Sequence, residues 1–450
     1  MPALRRMFTS GVVCATAVLA ATLLLSTAQP THAGLFSWLK GDNNRNDAPG
    51  GRGYGAPGWG RNAPPGPGTQ AAPEEGDPQT RAWITNPALG MPTLTTRNVE
   101  STKAAIERYR AIVAQGGWPM VPAAVMKPGS RGQEIVTLHR RLEISGDLVG
   151  QSIPDEYDQA VVMAVKRFQA RHNLPPTGVI DSRATIDALN VPATVRLAQL
   201  QANLKRLQTL APAAASRYVL VNVPSAQVEA VEGGQVVSRH AAVVGKIDRP
   251  TPTLSSKVSQ INFNPYWHVP RSIIQKDLVP KGQEFARRGQ DMLAAYRMQV
   301  FTPSGQPVDP RAIDWFGPEV YTYNFRQLPW EENSLGFVKI NFPNKDAVYM
   351  HDTPLKSLFG RSVRFESSGC VRIHNVEQLV AWILSDNPGW DLNRIMSMKS
   401  SGQQADVKVS KSIAVYFTYI SAWATPDGVV HFRPDIYNTD TPGETTASAY

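Results

Sequence analysis

Apolar residues along this chain change their spacing from segment to segment, and each spacing predicts a different kind of structure. An apolar run from Gly11 to Leu25 follows Arg5-Arg6 and precedes Thr31-His32-Ala33-Gly34. Basic flank, apolar stretch and small-residue cleavage site read together as a signal peptide over 1–33, with an uncleaved anchor as the alternative. Periodicity then disappears in stretches such as Pro49-Gly50-Gly51 and Pro64-Pro65-Gly66-Pro67. Such composition buries too little apolar surface to offset its ordering entropy, so 34–94 reads as a disordered Gly/Pro-rich linker.

Helical spacing begins near Thr95. Ile106, Tyr109, Ile112 and Val113 share one face, and Gly116-Gly117-Trp118-Pro119 supplies the stop signals. Leu197, Leu200, Leu204 and Leu207 form a second such face. These segments, 95–126 and 191–216, are expected to pack together as a helical scaffold. Between them, 127–190 holds three short amphipathic patterns: Ile135, Leu138 and Leu142, then Val161, Val165 and Phe168, then Ile186 and Leu189. A turn at Gly178-Val179-Ile180 with Asp181 as N-cap precedes the third helix.

From Arg217 the period becomes alternating. Tyr218 to Val223 and Val236 to Ser238 flank Glu232-Gly233-Gly234, a hairpin signal. Further strands are expected at 256–263, 336–342 and 347–350. Asn375 and Gln378 have capping-box spacing ahead of a helical face made by Val376, Leu379, Val380 and Ile383. The runs at 413–419, 422–423 and 428–432 read as a closing hairpin, and 438–450 as a disordered tail. The fold class is α+β and multidomain: a sandwich-like β domain over 217–437, interrupted by a 274–323 insertion suited to a lid, plus small helical units.

Composition narrows the function. A chain of 450 residues with 42% hydrophobic content can hold several packed domains. Its net charge of +9 favours an anionic partner, yet no run of five Lys or Arg appears, which argues against nucleic acid. Of the two cysteines, Cys14 lies within the predicted signal peptide and would leave with it. Cys370 would then be a lone thiol in a compartment where cysteines normally pair. No HExxH, no CxxC and no strand-to-helix glycine loop occurs, so neither metal nor cofactor is expected.

Candidate chemistry gathers between Val348 and Arg372. His351 ends an apolar run, and Ser367-Ser368-Gly369-Cys370-Val371-Arg372 follows after a short spacer. A thiol needs a base or cation to form thiolate near neutral pH; His351 is the candidate base, with His268 and His374 as competitors. Gly369 can turn tightly and present its amide as an oxyanion donor. Asp352 offers either its carboxylate or its carbonyl to orient the histidine. A helix N-terminus behind Cys370 would favour thiolate.

The order His, spacer, Ser-x-Gly-Cys-x-Arg resembles the signature of the L,D-transpeptidases, or YkuD-domain proteins, in their large periplasmic branch. Ser368 stands where many members carry histidine. Asn264 to Pro270 and Arg326 to Pro329 resemble further family segments, with Trp330 where glycine is common. Val165 to Gln169 and the Gly-Val-Ile-Asp turn resemble a peptidoglycan-binding module. The resemblance implies a lid subdomain, a periplasmic location and a cysteine thioester acyl-enzyme formed on stem tetrapeptides. It also implies peptidoglycan stem peptides and glycan strands as partners, with envelope proteins as further acyl acceptors. Cys370 is then the nucleophile, His351 the proton donor and acceptor, and Arg372, Ser368 and Tyr349 substrate contacts. For Arg372 an ion pair shaping the loop is the alternative. Hydrolysis of stem peptides and non-catalytic wall binding are the competing functions.

Overall fold

The computed structural model describes residues 78–440. The predicted signal peptide, the linker as far as residue 77 and the tail beyond 440 lie outside the described residues. Among those described, no helix is long and apolar enough to cross a membrane.

The linker expectation fails over 78–94. Helix α1 spans Pro78–Thr85, and the stretch after it is strapped to the sheet by polar bonds. Thr93 donates its amide (3.0 Å) and hydroxyl (2.7 Å) to the Glu229 carboxylate. Tyr218 Oη donates to Leu94 O at 2.6 Å, and Leu94 is buried. Composition misled here because hydrogen bonds, rather than apolar mass, hold the segment. The tail expectation fails likewise over 438–440, where Asp440 is buried and accepts from Ser421 Oγ at 2.6 Å.

Helix α2 (Thr96–Ala114) starts where Thr95 Oγ1 accepts from Asn98 N at 3.2 Å. Helices α3 (Gln133–Ser145), α4 (Gln159–Arg171) and α5 (Arg183–Leu189) enclose Ile135, Leu138, Leu142, Val161, Val165, Phe168 and Leu189. The N-cap of α5 is Ser182 rather than Asp181, and it makes no side-chain capping bond. Helix α6 (Ala193–Leu210) packs with α2 through Ile106, Tyr109 and Leu200. Arg171 ties this helical unit to the end of the chain: it grips Asp147 at 2.7 and 2.6 Å and donates to Val430 O at 3.2 Å.

Strands β1 (Arg217–Asn222), β2 (Gln227–Glu232), β3 (Gln235–Gly245) and β4 (Leu254–Phe263) open the large domain. A smaller three-stranded sheet follows, from β5 (Trp267–His268), β6 (Met298–Phe301) and β7 (Asn324–Gln327). The large sheet resumes with β8 (Val338–Asn341), β9 (Met350–His351), β10 (Phe365–Ser367), β11 (Val371–Ile373) and β12 (Ala405–Thr418). Its order is β10-β3-β11-β9-β8-β4-β12-β1-β2, and β3 also pairs with β2. The sheet thus curls back on itself, since the first half of β3 pairs with β2 while Ala242 and Val243 pair with β11. Val219, Val221, Ile261, Ile340, Met350, Val371 and Phe417 fill its interior. On the other face of β1, Tyr218 and Leu220 pack with Leu207 of α6. Only β13 (Ala422–Ala424) and β14 (Val430–Phe432) form the closing hairpin; 413–418 belongs to β12, antiparallel to β4 and parallel to β1.

Helices α7 (Arg271–Ile273), α8 (Val279–Arg287) and α9 (Met292–Ala295) cover the small sheet. A wider π turn, Ile274–Leu278, joins α7 to α8. Pro280, at the start of α8, has no N–H to close a normal turn there. This cap has its own core of Ile274, Leu278, Val279, Met292, Leu293, Trp315 and Phe325. Gly282 is required, because a Cβ there would lie 2.0 Å from Trp315 Cε3. The insertion is wider than 274–323, running from β5 through β7, because its outer strands pair with one another.

Candidate active site

Two parallel strands set the site. Val371 pairs with Met350 and Arg372 with His351, while Lys339 of β8 lies opposite His351 from the other side. Met350 and Val371 point into the core. Alternation therefore sends Tyr349, His351, Cys370, Arg372 and Lys339 to the opposite face. The cap leans on that face: Trp267 Nε1 donates to Tyr349 Oη at 3.2 Å, and Tyr349 and Leu355 pack against the cap core.

The loop before Cys370 is fixed by hydroxyls. Ser367 Oγ donates to Cys370 O at 2.6 Å and accepts from Gly369 N at 3.2 Å. Thr251 Oγ1 donates to Gly369 O at 2.9 Å. Gly369 has φ +109, where a side chain would be strained. Its amide donates to Ser367 Oγ in this structure. The amide of Cys370 itself makes no hydrogen bond among the described residues. Ser368 Oγ accepts from Arg249 Nη1 at 3.0 Å, and Arg249 also pairs with Asp277 in the π turn of the cap. Ser368 thus belongs to a tie between Cys loop and cap, a role that sequence spacing did not suggest.

Electrostatics separate the two central residues. Burial raises the Cys370 thiol above its ordinary value, although bonds from Tyr349 and the charges of Lys339 and Arg372 pull it down. The expected capping box is absent: α10 (Val376–Ile383) starts at Asn375, whose φ is +48 and whose side chain makes no capping bond. Helix α11 (Leu392–Ser401) follows and packs Ile395 and Met398 into the core.

His351 is buried, and its Nδ1 has no well-formed hydrogen bond. Burial, then the charge of Arg372, pushes its pKa down to about 3, with the backbone of Asp352 pulling the other way. The Asp352 carboxylate is occupied elsewhere, accepting from Phe337 N at 3.1 Å and pairing with Lys356. Burial lowers Arg372 to about 10, with Glu366 the leading opposing charge. Of the competing histidines, His374 bonds Thr85 O through Nδ1 at 3.1 Å and lies beside Phe359. His268 is exposed on β5 of the cap. Lys339, Trp267, Arg249 and Asp277 were missed in the sequence. Lys339 alone had a local signal, as the outward residue of the alternating run Phe337-Val338-Lys339-Ile340.

Buried neutral histidines make the fold acid-sensitive. Burial lowers His351 to about 3 and His240 to about 4, and lowers His172 and His431 well below 6.5. Each folded value lies below the unfolded one, so the stability these groups contribute is fully present above pH 6.5 and is lost as pH falls toward the folded values. Thermal melts should show Tm falling steadily from pH 6.5 to 4; a flat profile would contradict this account.

Residues 216–400 match the L,D-transpeptidase catalytic domain, YkuD. Residues 131–189 match a "putative peptidoglycan binding domain". A curated protein of Haemophilus influenzae, described as "Putative L,D-transpeptidase", is 32% identical over 223 residues. That stretch is 49% of this chain and 44% of the relative, so the chain spans less than half of the relative's length. Among solved structures, an L,D-transpeptidase from Stackebrandtia nassauensis shares 14% identity with a TM-score of 0.25, over 69% of this chain and 99% of that one. Another from Xylanimonas cellulosilytica shares 16% with a TM-score of 0.22, over 67% and 98%.

Proposed function

We propose that this chain, whose residues 216–400 match the L,D-transpeptidase catalytic domain and 131–189 a peptidoglycan-binding domain, is an L,D-transpeptidase that cross-links peptidoglycan through a thioester on Cys370. The observation carrying this reading is the shared sheet face of His351, Cys370 and Arg372, set by the parallel register of β9 and β11. His351, neutral above about pH 4, takes the thiol proton. The sulfur attacks the carbonyl joining the third residue of a stem tetrapeptide, a diamino acid, to its terminal D-alanine. The amide of Cys370 stabilises the resulting oxyanion. The C–N bond breaks, D-alanine leaves as an amine carrying the proton from His351, and a thioester remains. An amine from a second stem attacks the thioester carbonyl, giving its proton to His351, and the thiol departs. The product is an amide between third residues.

An envelope protein's amine would serve equally as acceptor, and water would give hydrolysis instead. A periplasmic location follows from the same reading, with the peptidoglycan-binding module holding the enzyme on glycan strands. Incubating the purified protein with defined tetrapeptide stems and analysing the muropeptides by mass spectrometry tests the proposal. Cross-linked dimers that have lost one D-alanine are expected. Tripeptide product alone would replace transfer by hydrolysis, and unchanged stems would leave only wall binding.

A further inference from the structure

Lys339 is a half-buried ammonium on the sheet face of the cysteine, and it forms no ion pair among the described residues. It lies in register opposite His351, and its Nζ rests 4.3 Å from the centre of the Tyr349 ring. Tyr349 in turn bonds Cys370. Asp406 acts on Lys339 electrostatically without forming an ion pair, and accepts from Asn262 Nδ2 at 2.5 Å. The other carboxylates of this region pair elsewhere, Asp352 with Lys356 and Glu366 with Arg361 at 2.6 Å.

Half-burying an ammonium without an anion is costly, because the lost hydration is not replaced. The aromatic face beneath it returns only part of that, roughly 0.5–2 kcal/mol. A ligand carboxylate would complete the site. The Cys370 thiol does not fill the role in the resting enzyme, since burial keeps it neutral near pH 7. Arg372 is less suited to arriving substrate, being only 6% exposed and set within the β11 ladder. Lys339 has a long flexible stem and a point charge at its end, which suits capture of a mobile carboxylate.

On the transpeptidase reading, the leaving D-alanine carries a free α-carboxylate one carbon from the scissile nitrogen. Resting on that reading, we infer that Lys339 receives the terminal carboxylate of the donor stem and so selects stems that end in a free acid. It is a specificity residue beside the catalytic pair. Stems that have already lost the terminal residue carry their carboxylate at the third position, and would not set a scissile bond against Cys370.

The test compares a tetrapeptide ending in D-alanine with the same peptide ending in D-alaninamide, following release of the terminal residue. The wild-type enzyme should prefer the acid by about 10–100-fold in kcat/KM, the range for a hydrogen bond to a charged group. Lys339→Met should lose that preference, with the acid falling relative to the amide mainly through KM; a loss shared by both peptides reports the charge that Lys339 places on Cys370, so the acid-to-amide ratio is the readout. Lys339→Arg should retain most of it. Lys339→Gln gives the same readout if the methionine variant is unstable. A preference kept in the uncharged variants, or an equal loss on both peptides, would overturn the inference while leaving the transpeptidase reading intact. Failure of the wild-type enzyme to release either terminal residue would instead overturn that reading, and this inference with it.

Discussion

Replacing Cys370 with alanine should remove acyl transfer from stem tetrapeptides completely while leaving the fold in place. The β-carbon stays, the loop hydrogen bonds of Ser367 and Gly369 use backbone atoms and the hydroxyls of Ser367 and Thr251, and only a sulfur at the edge of the core is lost. The cost in stability should therefore be about 1 kcal/mol. Loss of turnover should instead be total, because no other nucleophilic side chain replaces the sulfur between Tyr349 and Arg372. A carbapenem offers an independent readout: on the proposed mechanism its strained amide should be attacked by the same sulfur, leaving one drug mass covalently attached. Peptide mapping should find that mass on Cys370, and Cys370→Ala should carry none. Substantial turnover by the folded variant would dismiss the nucleophile, and an adduct mapping elsewhere would move it.

The parts of this molecule legible in its sequence are those fixed by short-range pattern. The apolar faces of α3 and α4 recur at helical spacing, and Ile135, Leu138, Val161 and Phe168 are all fully buried. Gly233 and Gly234 both have positive φ, as a tight two-residue turn requires, and the hairpin they close joins β2 to β3. That His351 and Cys370 share one sheet face follows from strand alternation and the register of β9 with β11. What could not be read depends on partners distant in the chain. Residues 413–418 have the same alternating pattern whether they close a hairpin or pair with both β1 and β4. The ordering of 78–94 rests on Glu229 and Tyr218, far along the chain. Arg249 and Asp277 give no local hint that together they join the cap to Ser368. Lys339 was visible as an outward strand position, but its lack of an ion pair appears only when its neighbours' own partners are known.

His351→Ala should lower kcat/KM by about two to four orders of magnitude at neutral pH, the usual range for a positioned acid–base group. The pH profile distinguishes this from a structural loss. In the wild-type protein, burial places the imidazole at about 3, so it is already an unprotonated base above roughly pH 4 and no acid limb should appear near 6.5. Burial also places the thiol above its ordinary value of 9.0, so the resting pair is neutral thiol and neutral imidazole, with no preformed thiolate–imidazolium pair. The wild-type rate should then be nearly flat between about pH 5 and 8, because proton transfer occurs within the reaction itself. Without the imidazole, only spontaneously ionised thiol reacts. The rate of His351→Ala should therefore climb about tenfold per pH unit until the thiol titrates. Carbapenem acylation followed by intact mass measures both profiles without a second substrate. A variant whose rate stays flat with pH would show that His351 is not the base, and a larger loss in His374→Ala with the same tenfold climb would transfer the role to His374.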